Sequence, residues 1–160
     1  MARSTSRSTV SPPPETQGPL GFVLTDAPDP RLDDVLGAAL QDHFRGRLGV
    51  SDSRPLAVIV TDPATGAPIG GLSGRTSLGL FFLDLFFLPE RLRGGGLGGR
   101  ILAAAEAEAI RRGCVAGALI TANVQAPAFY AKHGWEEFGR VPSLPGIERV
   151  FFRKTLKEQP

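Results

Sequence analysis

Hydrophobic positions recur along this chain first at one spacing and then at another, and they mark out its elements from about Leu20 onward. Phe22, Val23 and Leu24 predict a first short strand. Asp29-Pro30 supplies a helix cap followed by proline at the first helical position. Leu32, Leu36, Ala39 and Leu40 then recur at helical spacing, with Asp33 and Asp34 in the first turn, Arg45 and Arg47 in the last, and Gly49 to end it. Leu56 to Val60 reads as a β-branched strand, Asp62 to Gly66 as a turn, and Pro68 to about Arg75 as the hairpin partner. Leu78 to Leu88 is a longer third strand with apolar residues on both faces, which predicts a central strand covered on both sides. After Gly94 to Gly99 the period changes again, and Leu97, Ile101, Leu102, Ala105 and Ala109 give a helix one apolar side, with Glu108 and Arg112 as an i,i+4 pair and Gly113 just past the end. Val115 to Thr121 is a strand and Ala126 to His133 a short helix ended by Gly134. Two last strands, near Phe138–Val141 and Glu148–Lys154, surround Pro142 to Gly146. The order β-α-β-β-β-loop-α-β-α-β-β predicts one mixed α/β domain without internal repeats.

Residues 1–18 carry almost nothing apolar and read as a disordered tail rather than a secretory signal, which leaves residues 19–160 as the domain. The 160 residues, 42% hydrophobic and 21% charged, suit a single globular core. A net charge of +2 does not nominate nucleic acid as a partner. The longest apolar run is broken by Asp84 and falls short of the ~20 residues of a membrane-spanning helix. Cys114 is the lone cysteine, so no disulfide or Cys-rich metal site is expected, and no His/Cys/Asp cluster has metal-ligand spacing. A cytoplasmic protein without metal, membrane or nucleic-acid partner is the expectation.

The chemistry concentrates at Arg93-Gly94-Gly95-Gly96-Leu97-Gly98-Gly99, between the third strand and a helix start. The first N–H groups of a helix lack intrahelical partners and carry the positive end of its dipole. Glycines let a phosphate approach those donors, and Arg91, Arg93 and Arg100 stand nearby, so strand, loop and helix together read as a pyrophosphate cradle. Gly94-x-Gly96-x-x-Gly99 also matches the dinucleotide fingerprint, but the acidic residue expected about 20 positions on is missing from Leu119-Ile120-Thr121-Ala122-Asn123. A Walker loop fails because Arg100-Ile101 stands where Lys-Ser/Thr is required.

Arg93-Gly94-Gly95-Gly96-Leu97-Gly98 resembles the R/Q-x-x-G-x-G/A motif of the GNAT acyl-CoA N-acetyltransferases. Asn123-x-x-Ala126-x-x-Phe129-Tyr130-x-Lys132-x-Gly134-Trp135 is similar to the second signature of that family, with Trp135 in place of the usual phenylalanine. The resemblance covers Pro68 to Trp135 firmly and Leu20 to Leu156 more loosely. It implies a mostly antiparallel sheet of six to seven strands with helices on both faces, acetyl-CoA as co-substrate, and a primary amine on a small molecule, peptide or protein as acceptor. One helix, not the family's usual two, fits before Ser53.

What the resemblance implies for individual residues follows its motifs. Backbone groups of Phe87 and Leu88 would meet pantetheine and the acetyl carbonyl, and Arg93, Gly94, Gly95, Gly96, Leu97, Gly98 and Gly99 would hold the pyrophosphate. Tyr130, the only tyrosine, would protonate the departing thiolate. Asp84, placed by strand alternation on one face with Phe82, Phe86 and Leu88, is the base on offer; it could equally bind an arginine or orient the acceptor, with water as the base. Asn123 would bond the pantetheine amides or merely form a turn. A non-catalytic acyl-CoA-binding or regulatory module is the competing reading, and a homodimer is one assembly open to either.

Overall fold

A computed structural model describes residues 21–157. Helix α1 (Leu32–Leu48) is followed by strands β1 (Arg54–Thr61), β2 (Pro68–Ser77) and β3 (Leu80–Phe87), then by a single 3-10 turn (Glu90–Leu92) and helix α2 (Leu97–Arg111). Strand β4 (Ala116–Ala122), helix α3 (Pro127–Lys132) and strands β5 (Glu136–Leu144) and β6 (Ile147–Thr155) complete the chain. The six strands form one sheet in the order β1-β2-β3-β4-β6-β5, antiparallel at every pairing except β3 with β4. This is the mixed, mostly antiparallel architecture that the sequence implies.

The core lies between the sheet and α2. Ile101, Leu102, Ala105 and Ala109 are buried there against Leu56, Leu72, Phe81 and Leu119, and the two alanines let the helix axis lie close to the strands. Arg112 fastens the far end of α2, donating to Glu108, to the Pro55 carbonyl and to the Thr76 hydroxyl. Helix α1 lies over the opposite face, where Leu40 and Phe44 border a hollow of about 330 Å³ with Arg75 and Phe82.

Several expectations differ from the structure. Phe22, Val23 and Leu24 form no strand and are 98%, 86% and 97% exposed, because β-propensity is expressed only where a partner strand and a packed face exist. Helix α1 begins at Leu32, not at Pro30; Asp29 still accepts the Arg31 N–H at 2.9 Å, in the turn that leads into the helix. No residue of α1 is buried, so its apolar spacing marks the helix correctly but not a tight packing partner. The segment expected as a loop at Pro142–Gly146 is mostly strand, since β5 runs to Leu144 and β6 starts at Ile147.

Strand β3 is central but, contrary to expectation, not covered on both sides, Leu85 being 72% exposed. In its pairing with β2, Gly74 faces Leu83 and Ser73 faces Leu85, so Asp84 is an extra residue in a β-bulge. The bulge reverses the alternation. Phe81 and Leu83 point to the core before it, and Phe86 and Leu88 after it. Asp84 therefore shares its face with Phe82 but not with Phe86 or Leu88.

The expected tail, residues 1–18, lies outside the described residues. No helix among the described residues is long and apolar enough to cross a membrane.

Candidate active site

Strands β3 and β4 run parallel only from Leu80–Ala116 to Leu83–Leu119 and then part. Beyond that point β3 is bonded on one side only, and β4 continues to Ala122 beside β6. The two facing backbone edges have no strand partner among the described residues, and their divergence opens a notch in the sheet. Bulge and notch begin at the same residue, because a strand that bends at Asp84 cannot stay in register with a straight neighbour.

The glycine loop stands at the head of this notch. Its start is anchored by buried Leu88 and by Arg93, whose Nε donates to the Leu88 carbonyl at 2.8 Å. Gly94 and Gly96 take φ of 82° and 78°, a left-handed conformation that turns the chain straight into α2. Arg100 N–H is the first to reach a helical carbonyl, that of Gly96, and no side chain caps the helix. The amides from Gly94 to Gly99 consequently have no acceptor among the described residues. Six consecutive free donors at the positive end of a fifteen-residue helix make an anion cradle.

The glycines are present for different reasons. A side chain on Gly98 would come within 3.2 Å of the Phe129 ring, and one on Gly99 within 2.5 Å of His133 Nε2. These two glycines let α3 close against α2, so replacing Gly98 by a bulky residue would disturb the fold as well as any ligand. Gly95 has open space around it and no positive φ. Neither conformation nor packing requires a glycine there.

Helix α3 brings Tyr130 to the same region. Its ring is buried among Phe129, Trp135 and Phe152, and Phe129 in turn packs on Phe86 of β3. Burial pushes the phenol up to about 12, so it stays protonated at any physiological pH. Its oxygen has no hydrogen-bond partner among the described residues, yet no buried side-chain polar atom is left unpartnered, which places the hydroxyl within reach of solvent or ligand. A partly buried polar set supports α3 from behind. Trp135 Nε1 donates to Glu106 at 2.9 Å, and Lys154 Nζ donates to Glu106 and to the His133 carbonyl. The indole lies against Gly117, where a β-carbon would stand 2.7 Å from its edge.

Asp84 lies on the other face of the sheet. Arg75 Nη1 donates to both its oxygens, at 2.6 and 2.7 Å, and the Arg75 guanidinium carbon stands 4.6 Å from the centre of the Phe82 ring. The two side chains are about half exposed. Of the roles open to Asp84, the arginine partnership is the one realised in the geometry. Asn123 has its amide engaged too: Nδ2 donates to the Gly146 carbonyl and Oδ1 accepts from Glu148 N–H, which clamps the β5–β6 turn onto the end of β4. Any pantetheine contact would have to share those atoms. Phe87 is exposed, with the Arg93 guanidinium 5.8 Å from its ring centre. Cys114 is buried, and burial pushes its thiol up, as befits a small core residue. No metal-holding group of three or more His, Cys, Asp or Glu occurs among the described residues.

Two residues of this region escaped the sequence reading. Arg75 faces Phe82 only through the hairpin register, and His133 reaches Gly99 only through the contact between α2 and α3. The hairpin offered a signal for the first: pairing back from the Leu78-Gly79 turn puts Arg75 opposite Phe82.

A split parallel pair, a glycine-rich helix start at its head and a buried phenol beside it make a pocket chemically suited to a phosphate-bearing ligand. Residues 23–135 match the model of the acetyltransferase (GNAT) family, and the chain belongs to that family. It is 33% identical to the acetyltransferase Atu2258 of Agrobacterium fabrum over 131 residues, covering 82% of this chain and 95% of that one. It is 35% identical to the blasticidin-S acetyltransferase of Streptomyces morookaense over 114 residues, covering 69% of this chain and 84% of the other. A solved acetyltransferase structure from Agrobacterium tumefaciens superposes with a TM-score of 0.75 at 31% identity, covering 85% of this chain and 99% of that one. The chain is thus an acyl-CoA-dependent N-acetyltransferase of the GNAT type.

Proposed function

We propose that the chain transfers the acetyl group of acetyl-CoA directly to a primary amine, with a small molecule as the favoured acceptor. The observation that carries this reading is the run of six free amides from Gly94 to Gly99 at the head of the β3–β4 notch. Those amides would hold the pyrophosphate, and Arg93 would add a guanidinium edge while keeping the loop tied to Leu88. Backbone N–H groups around Phe87 and Leu88, on the β3 edge beyond its pairing with β4, would meet pantetheine and polarise the acetyl carbonyl, where preorganised donors stabilise the developing oxyanion. The amine nitrogen attacks the carbonyl carbon, the C–S bond breaks, and Tyr130 gives its proton to the departing sulfur. The proton lost by the amine goes to water or to Asp84, which Arg75 holds at the acceptor face. The name of the blasticidin-S relative supports a small-molecule acceptor. A buried, unreactive Cys114 suits a reducing cytoplasm.

The test is Tyr130→Phe under single-turnover conditions. The variant keeps the ring and its packing but lacks the proton donor. The acetyl-transfer rate should fall about 10²–10⁴-fold with acetyl-CoA affinity unchanged. A wild-type rate would remove the general-acid role, and lost acetyl-CoA binding would make Tyr130 a positioning residue.

A further inference from the structure

The face of the sheet opposite α2 carries a groove of about 290 Å³ that crosses the point where β3 and β4 part. Leu83 and Asp84 border it from one strand, and Leu119 and Ile120 from the other, so it lies over the start of the notch. Phe82, Phe138 and Phe151 form its walls, the last two with ring centres 6.0 Å apart. Arg75 is the cation in that lining, and it also borders the neighbouring hollow under α1.

Arg75 is fixed from two sides. Asp84 holds Nη1, and the Phe82 ring lies beneath the guanidinium plane. A guanidinium has five N–H donors, and these contacts engage only those on Nη1. The Nε–Nη2 edge has no partner among the described residues. That edge is the fork that receives a carboxylate through two parallel hydrogen bonds. Holding the arginine in place beforehand removes much of the entropy cost of such recognition. Were Arg75 present only to neutralise Asp84, nothing would require an aromatic groove running from it to the notch.

We propose that Arg75 is the acceptor-specificity residue, and that the acceptor is a small primary amine carrying both a carboxylate and an apolar or aromatic group. The carboxylate sits on the free guanidinium edge, the apolar group lies among Phe82, Phe138 and Phe151, and the amine is thereby presented at the notch. This rests on the acetyl-transfer reading above for what happens to the amine, but not for the binding itself.

The experiment therefore measures binding and transfer separately on the full chain. In calorimetric titrations without cofactor, 3-phenylpropionate should bind the wild type at least ten-fold more tightly than 3-phenylpropanamide. Arg75→Gln should abolish that preference, and Arg75→Lys, a point charge without the fork, should keep only a minor part of it. Phe138→Ala should weaken both ligands alike and leave their ratio unchanged, which separates loss of the groove from loss of the anion site. With acetyl-CoA, phenylalanine should exceed 2-phenylethylamine as acceptor in kcat/KM by at least ten-fold, and Arg75→Gln should remove the difference. Equal binding of acid and amide, or a preference that survives Arg75→Gln in a folded variant, overturns the proposal. Failure to bind acetyl-CoA on the same preparations would remove the transfer reading alone, because the acid–amide comparison contains no cofactor.

Discussion

Replacing Gly95 by alanine isolates the cradle from everything else the glycines do. Nothing stands within 4 Å of where its β-carbon would lie, and its backbone is not left-handed. The substitution should leave stability within about 0.5 kcal/mol of the wild type, as for an exposed position without special geometry. In the bound state the new methyl group would stand where a pyrophosphate must approach the amides. Losing one charge-assisted bond to a phosphate oxygen costs about 1.5–3 kcal/mol, so acetyl-CoA should bind about ten- to a hundred-fold more weakly. Gly99→Ala makes the contrast, because its β-carbon would press on His133 Nε2 at 2.5 Å. It should lower stability by about 1–3 kcal/mol through overpacking, whatever happens to the ligand. Urea unfolding and calorimetric titration on the same preparations give both quantities. An unchanged Kd in Gly95→Ala, confirmed with the larger Gly95→Val, would show that no phosphate approaches this amide and that the glycines only turn a corner.

Tyr130 is the only tyrosine, so absorbance at 295 nm follows it alone; it should titrate near pH 12 in the folded protein, against about 10 in an unfolded chain. Because the unfolded chain loses this proton first, the stabilisation is complete below about pH 10 and is lost as pH rises toward 12; a titration near 10 in a folded sample would show the phenol to be open to water. Trp135→Phe should cost about 1–3 kcal/mol, from the lost bond to Glu106 and the space left beside Gly117. Gly117→Ala should be destabilising alone but much less so beside Trp135→Phe, a coupling of about 0.5–3 kcal/mol in a double-mutant cycle; strict additivity would mean that the indole does not require that glycine.

The parts of this site legible in the sequence are those fixed by neighbours in the chain. A glycine run between an apolar strand and an amphipathic helix start can only be a loop feeding a helix N-terminus, and Gly94 to Gly99 forms one. Gly113 and Gly134 end their segments for the same local reason, each with a positive φ. What escaped depends on pairing between distant segments. Asp84 looked like one more position in an alternating strand because the bulge exists only in the register of β3 against β2. The bonds of Asn123 to Gly146 and Glu148 likewise join segments more than twenty residues apart in the chain. The apolar spacing of α1 marked a real helix, but spacing alone does not say how deeply a helix packs, and none of its residues is buried.

The bulge shows how a one-residue irregularity can organise the site on both faces of a sheet. Without the extra residue, a strand of uniform alternation would have sent Leu88 outward and left the glycine loop without its buried anchor. With it, Leu88 turns into the core and offers its carbonyl to Arg93, so the loop starts from a fixed point. The same residue, lacking a partner on β2, projects its carboxylate to the other face, where Arg75 holds it beside Phe82. The bend also ends the pairing with β4 at Leu83 and frees the backbone that lines the notch. The glycine-loop side and the aromatic-groove side therefore meet at the start of the notch, and both are shaped by the bulge at Asp84. The extra residue parts the strands through its backbone, and its carboxylate, held by Arg75, has a partner that explains its presence in an otherwise apolar strand without any basicity.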